Sequence, residues 1–69
     1  MLEIFKTNVS DPEQASYILD LLQQHIPHCR ANFDLHDCDK ILRVTGDNIP
    51  VESIITLVKN NGFTCILLN

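Results

Sequence analysis

Apolar and polar positions along the chain fall into six blocks whose periods alternate between strand and helix. Leu2 to Thr7 is rich in β-branched and aromatic residues with no breaker, which predicts a strand. Ser10-Asp11-Pro12-Glu13 then opens a helix in one of two registers. Ser10 caps it with Glu13 bonding back, or Asp11 caps it with Pro12 at the first helical position. Ala15, Ile18, Leu19, Leu22 and Ile26 form one apolar stripe at helical spacing, and Pro27 stops the helix. Ala31, Phe33 and Leu35 alternate with Arg30, Asn32 and Asp34, the pattern of a half-buried strand. The polar turn His36-Asp37-Cys38-Asp39 separates it from a strand over Lys40 to Thr45, with Leu42 and Val44 directed inward, so the two strands form a hairpin. Pro50 begins a second helix with the stripe Val51, Ile54, Ile55 and Val58, ended by Gly62. Phe63 to Leu68 is the last strand.

The order βαββαβ predicts an α+β domain of the ferredoxin-like kind spanning residues 1–69. Right-handed crossovers give a four-stranded antiparallel sheet in the order 4-1-3-2, with both helices on one face. The lengths agree. A helix from Asp11 to Ile26 runs about 24 Å, and strands of this length run about 20 Å.

Composition narrows the function classes more than it selects one. A chain of 69 residues builds a thin core, because a domain this small buries only about 60% of its unfolded surface. With a net charge of −4 and five Lys and Arg residues scattered along it, the chain has no basic patch for nucleic acid or for an anionic membrane. No apolar run is long enough to span a bilayer. The start Met1-Leu2-Glu3-Ile4-Phe5-Lys6 lacks a basic region followed by an apolar stretch, so no secretory signal is expected. Cys29, Cys38 and Cys65 are odd in number and widely spaced, which suits reduced thiols in the cytoplasm.

Three stretches carry a resemblance to a known family: Lys6-Thr7-Asn8-Val9-Ser10 between the first strand and helix, Ile41-Leu42-Arg43-Val44-Thr45-Gly46, and Asn61-Gly62-Phe63. In these spacings the chain resembles the heavy-metal-associated domain, the fold of copper chaperones and of metal-ATPase N-terminal modules. In that family a Met-x-Cys-x-x-Cys loop between the first strand and helix holds Cu(I) through two soft thiolates. Here Val9 stands at the methionine, Asp11 at the first cysteine and Gln14 at the second. The resemblance therefore implies the scaffold without its ligands, and no metal residue carries over.

A replacement metal site is conceivable from His36, Cys38 and Asp11, which the topology puts at one end of the sheet and which offer N, S and O ligands for zinc. The alternative is a polar hairpin tip whose Asp37 and Asp39 satisfy turn backbone. His25, His28 and Cys29 gather at the opposite end, where His25 and His28 offer ligands for a divalent metal or, more simply, His25 complements the dipole of the helix's last turn. Catalysis has little support: Cys29 or Cys38 as nucleophile would need a nearby base and a groove for substrate, the only glycines are Gly46 and Gly62, no phosphate loop is present, and no carboxylates stand out as a pair. No cofactor is expected.

The sheet face opposite the helices is the stronger candidate. Arg30, Asn32, Asp34, Arg43 and Ile41 point to it, as does either Ile4 or Phe5, since both cannot point inward. The last strand is apolar in both phases although the topology puts it at an edge, where charge normally prevents pairing. Phe63, Cys65, Ile66, Leu68, Ile41 and Arg43 are therefore the expected binding surface. The expected function is a non-catalytic interaction module that binds itself or another protein. The alternative is a divergent metal-binding protein using His and Cys outside the loop.

Overall fold

The computed structural model describes residues 1–68; Asn69, the last residue of the predicted domain, lies outside the described residues. The elements are β1 (Leu2–Thr7), α1 (Pro12–His25), β2 (Arg30–Asp34), β3 (Ile41–Thr45), α2 (Val51–Asn60) and β4 (Cys65–Leu67). The sheet runs β2-β3-β1-β4 with every pair antiparallel, which is the predicted order read from its other edge. This is the ferredoxin-like α+β fold.

Both helices cover the same face. Phe5, Leu42 and Val44 of the sheet join Ile18 and Leu22 of α1 and Ile54 and Val58 of α2 in one buried cluster. Phe5 is paired with Leu42 and is fully buried. That settles the phase of β1: Phe5 points inward and Ile4, one residue earlier, points to the open face.

The ends of the elements follow local chemistry. Asp11 is the N-cap of α1, in extended backbone, and its carboxylate accepts the Gln14 N–H at 2.8 Å. Of the two predicted registers the chain takes the one with Pro12 just inside the helix. At the end of α2 the Gly62 N–H reaches the Lys59 carbonyl at 3.0 Å and the Phe63 N–H reaches that of Val58 at 3.3 Å, with Gly62 at φ +91°. This is a Schellman motif, which returns the chain toward the sheet.

Two boundaries differ from expectation. The third strand begins at Ile41, because Lys40 adopts φ +45° and closes the turn with its N–H on the Asp37 carbonyl. The last strand is only Cys65–Leu67, because Phe63 is held at the end of α2 by its bond to Val58 and packs against the core.

Candidate functional surfaces

The loop between β1 and α1 meets the hairpin tip and the start of β4 at one end of the sheet, as the topology requires. The junction is built around Thr7, a buried polar residue. Its hydroxyl donates to the Lys40 carbonyl at 2.6 Å and accepts the Val9 N–H at 3.2 Å, while its own N–H donates to the Asp39 carbonyl at 3.1 Å. Asn8 adds a fourth tie, its side-chain oxygen accepting the Thr64 N–H at 2.8 Å. Sequence reading gave Thr7 no role, since nothing in a strand's alternation distinguishes a hydroxyl that bonds from one that is merely tolerated.

Within this end, Val9, Asp11 and Gln14, the residues that the resemblance set at the metal-loop positions, are committed elsewhere. Val9 is fully buried in the core. Asp11 caps α1, and the Gln14 side-chain oxygen turns back to accept from the Ser10 N–H at 3.0 Å and from the Ser10 hydroxyl at 3.2 Å. A carboxylate and an amide are hard ligands, so the donor set does not fit Cu(I).

The predicted trio His36, Cys38 and Asp11 does not assemble. Among the described residues the one cluster of at least three potential ligands is Asp37, Cys38 and Asp39, whose ligand atoms lie within 4.8 Å of one another. The partners of Cys38 are its own sequence neighbours in the turn, while the His36 N–H donates to the Asp34 carboxylate. The two carboxylates are already engaged. Asp37 accepts the Asp39 N–H at 2.8 Å, and Asp39 sits 3.6 Å from the Lys6 ammonium.

At the other end, His25 is exposed in the last turn of α1 and donates from Nδ1 to the Leu21 carbonyl at 2.9 Å, as its position in the helix suggested. Cys29 is buried against Gly46 and is separate from the exposed His25 and His28. A groove of about 780 Å³ runs between the helices, with Leu22, Ile26 and Ile54 buried beneath it and Tyr17, His25 and Leu57 along it.

The open sheet face is ordered by the strand registers into three rows. Arg30, Thr45 and Leu2 form the first; Asn32, Arg43, Ile4 and Leu68 the second; Asp34, Ile41, Lys6 and Ile66 the third. Leu2 is 50% exposed, Ile66 58% and Leu68 38%. Among residues predicted for this surface, Ile66, Leu68 and Arg43 lie on it and are accessible. Three do not contribute as expected. Cys65 alternates inward, opposite Thr7, and is buried. Phe63 precedes the strand and packs on the core. Ile41 is on the open face but only 7% exposed, flanked by Lys6 and Asp34. Leu2 was not among the predicted surface residues, and Ile4 was one of two options for the open face; the signal for both was the phase of β1, which the Phe5–Leu42 pairing resolves.

Burial pushes the Cys65 thiol up to about 11 from 9.0, with the Lys59 ammonium partly opposing it. At neutral pH it is a protonated packing group and not a nucleophile. Cys38, in contrast, is exposed.

No family model matches the chain, and no curated protein does. A solved structure does: the solution structure of the yeast copper transporter domain in its apo and Cu(I)-loaded states superposes with a TM-score of 0.74. The match covers 99% of this chain and 94% of that one at 17% identity, so the two share the fold.

Proposed function

We propose that this chain is a small non-catalytic interaction module that works in the cytoplasm and binds another protein through its open sheet face. The observation that carries the reading is the half of that face formed by β1 and β4, where Leu2, Ile66 and Leu68 stand exposed together. A thin-core domain gains from covering such a strip. The unpaired cysteines suit a reducing compartment, and among the described residues no helix is long and apolar enough to cross a membrane.

The fold is shared with a copper transporter domain, and the competing reading is a divergent metal-binding protein that uses His and Cys outside the loop between β1 and α1. Against it, the one ligand cluster among the described residues, Asp37, Cys38 and Asp39, is exposed at a hairpin tip with both carboxylates already engaged. A site-specific photocrosslinker decides between surfaces. Placed at Ile66 it should capture a protein in cells, and placed at Tyr17, exposed on the helix side, it should not. Equal capture from both positions, or capture only from Tyr17, would sink the reading.

A further inference from the structure

Charge on this molecule is segregated between its two sides. Lys6, Arg30 and Arg43, three of the five basic residues, lie on the open face. Of nine acidic residues Asp34 shares that face and Asp39 reaches its rim beside Lys6, leaving it net +1 in a chain of net −4. The acidic excess is carried by the helices, the loops and the hairpin tip. The cations border the apolar strip directly: Lys6 stands opposite Ile66, and Arg43 opposite Ile4. Their pairings within the chain are loose. Lys6 is 3.6 Å from Asp39 and Arg43 is 3.9 Å from Asp34, all four side chains being well exposed, so each pair holds by no more than about 1 kcal/mol. Carboxylates arriving from outside can replace them at little cost.

Resting on the reading of the open face as a binding surface, we propose that its occupant is an acidic amphipathic segment of another protein. Its apolar residues cover Leu2, Ile4, Ile66 and Leu68, and its carboxylates meet Lys6, Arg30 and Arg43. A second copy packed face to face would set these cations against themselves, and like-charge juxtaposition selects against such a pairing. An anionic bilayer, being flat, would also have to meet the acidic hairpin tip with Asp37 and Asp39, which a single segment lying along the apolar strip need not touch.

The test uses the full chain with labelled methyl groups and two synthetic amphipathic helical peptides. These share leucine positions and carry either glutamate or lysine elsewhere. The Leu/Glu peptide should shift the methyls of Leu2, Ile4, Ile66 and Leu68 and leave Leu57 in the helix groove unmoved. Its affinity should fall about tenfold in Arg43→Glu and decline as salt is raised. Ile66→Ser, at an exposed position, should weaken both peptides if they use this face. Tighter binding of the Leu/Lys peptide to the same methyls would overturn the acidic occupant while leaving the face a binding surface. So would concentration-dependent shifts there in the chain alone, or binding of these methyls to phosphatidylserine vesicles. If no probe moves the four methyls, the acidic occupant and the binding face fall together.

Discussion

Asp11 and Gln14 close the first turn of α1 on each other. The Asp11 carboxylate accepts the Gln14 N–H, and the Gln14 side chain reaches back past it to Ser10. They are the two residues that the resemblance to the heavy-metal-associated domain sets at its cysteine positions. Here they form a reciprocal cap, a close relative of the capping box one residue out of its usual register. Asp11→Ala should therefore cost about 1 kcal/mol of stability in urea unfolding. Gln14→Leu should cost less, since it leaves exposed groups that water can satisfy. Neither substitution should change the response to Cu(I), because the wild-type chain should give none at this loop. A Cu(I)-induced shift of the Asp11 to Gln14 amides would contradict this.

Thr7 is the joint between the loop and the hairpin tip, and its hydroxyl has two partners. Thr7→Val keeps the shape but strands the Lys40 carbonyl and the buried Val9 N–H. Leaving such groups unpaired costs about 1–3 kcal/mol. Thr7→Ser should recover most of the loss. Amide exchange at Val9 should rise in the valine variant and stay near wild type in the serine variant. Equal stability of all three chains would show that the joint carries no free energy.

The two glycines make a paired test. At Gly46, φ is +145°, and a Cβ would meet Cys29 Sγ at 3.1 Å, Cys29 Cα at 3.2 Å and the His28 carbonyl at 3.3 Å. Two of the three neighbours are backbone. At Gly62, φ is +91° and a Cβ would meet nothing within 4 Å. Gly62→Ala should cost about 1–2 kcal/mol from backbone strain alone. Gly46→Ala adds overpacking to strain and should cost about 2–4 kcal/mol. Denaturant midpoints for the two variants check the order, and the reverse order would refute the account.

Much of the fold was legible because local signals and periodicity agreed. Pro12 behind Asp11, the stripe from Ala15 to Ile26 and Gly62 after α2 each fixed a boundary for its own physical reason. What was not legible depended on contacts distant in sequence. Ile4 and Phe5 are equally apolar, and only the partner Leu42 decides which is inside. Cys65 and Ile66 look alike as edge residues until the register with Thr7 and Lys6 turns one in and the other out. The hairpin tip failed for a local reason instead. His36, Cys38 and Asp11 share an end of the sheet, but a turn's hydrogen bonds decide which side chains converge, and they select Asp37 and Asp39.

The three free thiols should separate sharply by reactivity. Cys38 is exposed, whereas Cys29 and Cys65 are buried. In the folded chain a maleimide should label Cys38 rapidly and the other two only after denaturation. Cys65 adds a pH dependence whose sign follows from its environment. Its thiol titrates near 11 in the fold against 9.0 when unconstrained. Between these values the unfolded chain has released the proton that the folded chain still holds. The folded state then binds more protons, and stability falls as pH rises through this window. The contribution is fully present below pH 9 and is lost by about pH 11, a change on the order of 2 kcal/mol. Cys65→Ala should be less stable at neutral pH because it opens a small cavity. Its stability should nevertheless decline less steeply across the alkaline window than that of the wild type. Parallel declines in the two chains would mean that some other group governs the alkaline limb.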